Sequence, residues 1–102
     1  MRADYVYDVY VQLPDNIGTD LWTQVGYECE GIREAMVALN DFAYYNRESV
    51  PIIPTDPKEH DAYLEDWVRV VRNNLSGKEA EKMLSKFSNI PIKIVVNKEI
   101  LV

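Results

Sequence analysis

Residues 4–13 alternate between two sets of side chains, and this pattern constrains the fold more than any other feature of the chain. One side of an extended strand would carry Tyr5, Tyr7, Val9, Val11 and Leu13, and the other side would carry Val6, Asp8, Tyr10 and Gln12. A period of two residues is typical of a β-strand with one face on a core. A turn-rich loop at 14–20 and a second alternating segment at 21–28 predict an antiparallel hairpin.

The hydrophobic period changes from two to 3.6 residues after Glu30. The apolar residues of this helical pattern are Ile32, Ala35, Met36, Leu39, Phe42 and Ala43. Glu30 and Glu34 lie early in the pattern, where the helix dipole favours negative charge. The spacing therefore predicts a helix over 30–46, ending near Asn46 in a left-handed C-cap conformation.

Capping signals mark the start of two further helices. Asp56, Pro57 and Glu59 match an N-cap, a first-turn proline and an N3 acid, and Ser76 with Glu79 repeats the pattern. The first of these helices is expected to carry an apolar stripe formed by Tyr63, Leu64, Trp67, Val68, Val71 and Leu75. The second helix continues with Ala80, Met83, Leu84 and Phe87.

Two short apolar segments complete the pattern. Residues 50–54 (VPIIP) are predicted to be extended, as an edge strand or a connector, because their prolines cannot donate hydrogen bonds. Residues 90–96 are β-branched and predict a strand, which the terminal residues either continue or fold back upon at Asn97-Lys98. The order β-β-α-(short β)-α-α-β predicts one α+β domain over 1–102, with helices packed on one face of a mainly antiparallel sheet.

Length and composition limit the class of protein. A chain of 102 residues, 47% of them hydrophobic, fits a single compact domain. Its apolar runs are far shorter than the roughly 20 residues that cross a bilayer. Cys29 is the only cysteine, so an intramolecular disulfide is excluded. We expect a soluble, cytoplasmic protein without a cofactor and without membrane contact.

The net charge of −6 lies in the first half of the chain. Residues 1–51 hold nine acidic and three basic side chains, whereas residues 52–102 hold eight of each. Direct nucleic-acid binding is not expected, because such binding depends on lysine and arginine displacing counterions. The acidic half favours a basic protein partner, although acidic residues that only solvate the surface would give the same composition.

Aromatic side chains among these acids predict an interaction surface. If helices cover the Tyr5 side of the first strand, Tyr10 and Trp22 lie on the other side, together with Val6 and Gln12. The candidate partner-binding residues on this face and on the polar side of the first helix are Asp8, Tyr10, Trp22, Glu28, Glu34, Asp41 and Tyr44. These residues predict a non-enzymatic interaction or regulatory protein, in one version an inhibitor that mimics nucleic-acid charge. A homodimer, or coverage by other parts of the chain, is the alternative.

A small enzyme or ligand-binding domain is the rival hypothesis, and it depends on His60 or Cys29. His60 has no second histidine or cysteine at helical spacing, and a zinc site needs three or four donors. Cys29 precedes a helix, which favours a thiolate, but Glu28 and Glu30 flank it and oppose that charge. The sequence predicts no catalytic residue and no metal ligand.

Overall fold

The computed structural model describes residues 3–47, 56–88 and 90–101. The elements are β1 (Ala3–Val11), a 3-10 turn (Pro14–Asn16), β2 (Thr23–Glu30), α1 (Gly31–Tyr45), α2 (Pro57–Arg72), α3 (Gly77–Leu84) and β3 (Ile92–Leu101). The predicted α+β class and element order are confirmed. The predicted extended segment at 50–54 lies outside the described residues.

The three strands form one antiparallel sheet in the order β2-β1-β3. β3 pairs along the length of β1, from Ala3 opposite Leu101 to Val11 opposite Ile92. The terminal residues continue β3 and do not fold back at Asn97-Lys98, which decides between the two predicted alternatives. Among the described strands, β1 is central, and β2 and β3 lie at the two edges.

Both edge strands contain irregularities opposite the middle of β1. The register between β1 and β2 shifts twice, between Tyr7 and Val9 and again between Val9 and Tyr10. The register between β1 and β3 shifts once, between Val6 and Tyr7. Such bulges bend and twist a strand and interrupt its ladder of hydrogen bonds.

The core lies between the helices and one face of the sheet. Direct pairing places Val9 opposite Ile94 and Val11 opposite Ile92, so these four side chains share that face. The buried residues of α1 that pack on it are Ile32, Ala35, Met36, Leu39 and Ala43. This agrees with the predicted period of α1. Val9 and Val11 have no exposed surface, and burying such a side chain stabilises the fold by about 1.5–3 kcal/mol.

The helix boundaries follow local chemistry. The chain passes from β2 into α1 without a loop, and Gly31 makes that turn with a φ of 86°, a value that favours glycine. The predicted caps are confirmed, because Asp56 accepts from the amides of Lys58 and Glu59, and Ser76 caps α3. α1 ends near Asn46 as predicted, but the predicted left-handed conformation is wrong: the φ of Asn46 is −118°, and its side chain bonds back to α1.

The predicted stripe of α2 is confirmed only in part, since Tyr63 lies in the core cluster and Trp67 and Leu75 pack against it. Tyr63 and Val70 are its buried residues, whereas Leu64 and Val68 are about half exposed. The Tyr63 hydroxyl donates a hydrogen bond to Oδ1 of Asn40, and its ring meets Phe87 edge-on at 5.7 Å. The contacts that α2 makes with other elements therefore decide which of its apolar side chains are buried. The helical period alone is compatible with burial of Tyr63 and Val70 or of Leu64 and Val68.

Candidate functional site

The sheet face opposite the helices carries three of the predicted site residues. Asp8 and Tyr10 alternate with the core residues of β1, and Tyr10 pairs with Gln24 on β2 and with Lys93 on β3. The described helices with extensive sheet contacts, α1 and α3, contribute to the core on the other face. Within the described residues, no helix covers the face that contains Asp8 and Tyr10.

Asp8 holds both edge strands at their irregular positions. Its Oδ1 accepts the Glu28 amide at 2.9 Å, and its Oδ2 accepts Nδ2 of Asn97 at 2.8 Å. Glu28 has a φ of 44° and Asn97 lies beside the register shift in β3. The carboxylate therefore replaces strand hydrogen bonds that the bulges disrupt. This role accounts for Asp8 without any partner.

The two aromatic residues expected on this face are half-buried. Nζ of Lys93 lies 4.2 Å from the centre of the Trp22 ring, within the range of a cation–π contact. A lysine of β3 thus already occupies part of the Trp22 surface. The face is also less acidic than the sequence predicted, because Lys98 joins Lys93 on it through pairing with Val6.

Val6 and Gln12 were expected on the open surface, and the structure shows that both are buried. Val6 is 2% exposed, and its cross-strand neighbours are Glu30 and Lys98. Nε2 of Gln12 donates to the carbonyl oxygen of Thr19 at 2.8 Å. This bond anchors the connection between β1 and β2, and that connection shields one end of the sheet face.

The outer side of α1 is more open. Glu34, Asp41 and Tyr44, three of the predicted site residues, lie there with Val37, and all four side chains are exposed. They point away from the sheet because the opposite side of α1 is buried in the core. One oxygen of Glu34 accepts the Glu30 amide at 2.6 Å, which stabilises the start of the helix.

Neither of the acids on this stripe is neutralised by an ion pair among the described residues. The ion pair in the described part of the chain joins Arg69 to Asp66, within α2. Tyr44 is 59% exposed, and its ring meets Tyr45 edge-on at 5.4 Å. The guanidinium carbon of Arg47 lies 4.6 Å from the centre of the same ring.

The structure does not bring the seven predicted residues together. Asp8, Tyr10 and Trp22 belong to the uncovered sheet side, and Asp41 and Tyr44 belong to the outer side of a helix that covers the other sheet face. Glu28 and Glu34 lie near the junction of β2 and α1, between these two regions. The predicted residues therefore belong to two separate surfaces, one on the sheet and one on α1.

Cys29 is a core residue. It is 7% exposed, pairs with Tyr7 and belongs to the cluster beneath α1. Burial raises the pKa of its thiol, and the nearby carboxylates of Glu34 and Asp8 raise it further. Both effects oppose the thiolate that a nucleophilic or metal-binding cysteine requires.

His60 lies in the first turn of α2 and is half-buried. Its ring centre is 6.4 Å from that of Tyr63, and its amide donates the first helical bond, to the carbonyl oxygen of Asp56. Cys29 lies beneath the start of α1, so the two residues of the enzyme hypothesis belong to separate parts of the fold. Among the described residues, no group of three or more histidine, cysteine or carboxylate side chains could hold a metal ion.

A groove that the sequence did not predict lies between β3 and α3. Its volume is about 520 Å³, and its lining is Tyr5, Tyr7, Ser76, Gly77, Lys78, Glu81 and residues 93–96. Gly77 permits the close approach of α3, since a Cβ there would lie 2.8 Å from Cε1 of Tyr7 and 2.9 Å from the Ile94 oxygen. In the sequence, the close approach of α3 was indicated only by a glycine, Gly77, directly after the capping residue Ser76.

Tyr7 forms the floor of this groove. Burial raises the pKa of its phenol, although a hydrogen bond from the Gly77 backbone acts in the opposite direction. Tyr5 lies beside it with 6.2 Å between the ring centres. The groove therefore offers a mainly apolar surface with a few polar groups at its edge, the usual composition of a ligand or peptide site.

Comparisons with protein-family models, with curated proteins and with solved structures gave no significant match. No helix in the described part of the chain is both long and apolar enough to cross a membrane. The functional argument therefore depends on the surfaces of this chain alone.

Proposed function

We propose that this protein is a small non-enzymatic interaction or regulatory protein that binds a basic protein partner. The observation that supports the proposal is the outer stripe of α1, defined as Glu34, Val37, Asp41 and Tyr44. It combines two carboxylates, unpaired with any described cation, with an exposed aliphatic and an exposed aromatic side chain. Aromatic anchors surrounded by charged groups are typical of protein-binding surfaces.

The negative charge of this chain indicates that its partner is basic. The chain has a net charge of −6, and the half that contains the outer stripe of α1 carries that excess. A basic partner would be attracted at long range, and its arginine or lysine side chains would find acceptors at Glu34 and Asp41. Tyr44 then supplies the contact area that determines how long the complex lasts.

The uncovered sheet face is the weaker of the two candidate surfaces. Asp8 is engaged by both edge strands, and Trp22 is half-buried beneath Lys93. Tyr44 also has a cation at its ring, Arg47, but remains 59% exposed. A basic partner would meet Lys93 and Lys98 there, which opposes binding. We therefore propose Asp41 and Tyr44, with Glu34 beside them, as the centre of the interface.

The test compares one variant of the stripe with a matched variant elsewhere. Asp41→Lys with Tyr44→Ala changes exposed positions outside the core cluster, and Asp61→Lys with Leu64→Ala makes the same change in charge at exposed positions of α2. The immobilised protein is used to capture a partner from its native source, and the affinity of the purified partner is then measured by calorimetry.

We expect the stripe variant to lose at least tenfold in affinity and the α2 variant to bind normally. The wild-type affinity should also fall as salt is raised, because exposed charges are screened over about 10 Å at 0.1 M salt. Equal binding by the stripe variant and the wild type would exclude this surface. A third variant, Tyr10→Ala with Trp22→Ala, then shows whether the sheet face binds instead.

A further inference from the structure

The edge of β3 is protected over only part of its length. Oε2 of Glu81 accepts the Ile94 amide at 3.1 Å, and Gly77 packs against the Ile94 carbonyl oxygen. Both main-chain groups of Ile94 therefore point away from β1, towards α3. A side-chain acceptor from a helix replaces the neighbouring strand at this one position.

Beyond Ile94, no described residue pairs with the outer edge of β3. The register is regular from Ile92 to Val96, so the main-chain groups of Val96 also point away from β1. Val96 is 54% exposed, and residues 97–99 are exposed as well. No further strand lies beside β3 in the described sheet. An extended chain placed there would find unused donors and acceptors.

The groove between β3 and α3 lies directly beside this open edge. Val96 pairs with Tyr7 and shares its face of the sheet, so an added strand would direct every second side chain towards the groove. Tyr5 and Val96 provide exposed apolar surface there, and the groove volume of about 520 Å³ accommodates more than one side chain. Apolar residues are expected at these positions of the added strand.

On the other face of β3, an added strand would need charged side chains instead of apolar ones. Lys93 and Lys98 both lie on this face, because they pair with Tyr10 and Val6. Lys93 precedes the covered position Ile94 and lies over the Trp22 ring, so Lys98 is the lysine that a strand added beyond Ile94 would meet. Acidic residues are favoured as its cross-strand neighbours. A second copy of β3 is disfavoured at this position, since it would place two lysine-bearing faces side by side.

We propose that the open edge of β3 binds an extended segment of another protein, in which apolar side chains alternate with acidic ones. The segment adds a fourth strand next to β3, with its apolar side chains in the groove over Tyr5 and its acidic side chains beside Lys98. This site is separate from the outer stripe of α1, so the two proposals are tested independently.

The test uses synthetic eight-residue peptides with blocked ends and a fluorescent label. One peptide alternates valine with glutamate, and its control alternates valine with lysine. Fluorescence anisotropy measures binding to the full chain. We expect the glutamate peptide to bind at least tenfold more tightly than the lysine peptide, and Lys98→Glu to reverse that preference.

A second variant tests the main-chain contacts. Val96→Pro removes an amide that points outwards from an edge strand, a position where proline is tolerated. It should keep the circular dichroism of the wild type and lose at least tenfold in peptide affinity. In the wild type, the peptide should slow hydrogen exchange at the Val96 amide.

Three results would overturn the proposal. Equal binding of both peptides would show that the lysines do not select the ligand. Normal peptide binding by Val96→Pro would show that the edge is not used. A wild-type dimer in sedimentation that Val96→Pro converts to a monomer would identify a second copy of the chain as the occupant.

Discussion

The role of Asp8 gives the sharpest test of the fold. Its carboxylate accepts two hydrogen bonds, one from each edge strand, at 2.9 and 2.8 Å. A hydrogen bond to a charged group contributes about 1.5–3 kcal/mol. Asp8 is half-buried, so water replaces part of each bond and the lower value applies. Asp8→Ala should therefore reduce the free energy of unfolding by about 3 kcal/mol, or the melting temperature by roughly 12–24 °C.

A double-mutant cycle separates this role from a general effect of charge. Asn97→Ala removes only the bond to β3 and should lower the free energy of unfolding by about 1.5 kcal/mol. Once Asp8 is alanine, removing Asn97 should have almost no further effect, so the coupling energy is about 1.5 kcal/mol. Asp8→Asn should recover about half of the loss, because one acceptor oxygen remains.

Urea unfolding followed by far-UV circular dichroism measures all of these free energies. A loss below about 0.5 kcal/mol for Asp8→Ala is what an exposed surface residue gives. That value, or additive effects of the two alanine variants, would refute a structural role for Asp8. The residue would then return to the set of candidate partner contacts.

The remaining predictions concern Tyr63 and Gly77. Burial raises the pKa of Tyr63 to about 12 from 10.0, so its neutral form stabilises the fold below pH 10. That stabilisation, about 3 kcal/mol, should disappear as the pH rises from 10 to 12. Tyr63→Phe should remove this alkaline loss in urea titrations, whereas Tyr44→Phe should retain it. Gly77→Ala should lower the unfolding free energy by about 1–3 kcal/mol through overpacking, measured against the exposed control Lys82→Ala. An unchanged melting temperature would show that α3 moves to accommodate the methyl group.

Local chemistry predicts most of the secondary structure of this chain. The two-residue period over 4–13 identifies β1, and the 3.6-residue period after Glu30 identifies α1. Asp56 and Ser76 are the N-cap residues directly before α2 and α3, and they can be recognised because the first amides of a helix need an acceptor. These features involve neighbouring residues only, so they can be read without knowing the rest of the fold.

The candidate surfaces were harder to predict because they depend on contacts between distant residues. Asp8 resembled a solvent-facing acid in the alternating pattern, yet it binds a main-chain group 20 residues away and a side chain 89 residues away. Trp22 resembled an open anchor until β3 placed Lys93 over its ring. Asp41 and Tyr44 were identified correctly as exposed, because the buried side of α1 follows from its own period.

The sequence by itself determined the class of the fold, the helix starts and the acidic balance of the first half of the chain. The tertiary structure alone decided that β1 is central, that Val6 and Gln12 are buried, and that a groove opens beside Val96. Strand periodicity specifies which side chains share a face, but it does not specify which strand lies next to which. The strand order depends on which pairings together bury the most apolar surface and satisfy the most main-chain hydrogen-bonding groups. Both quantities depend on residues that are far apart in the sequence.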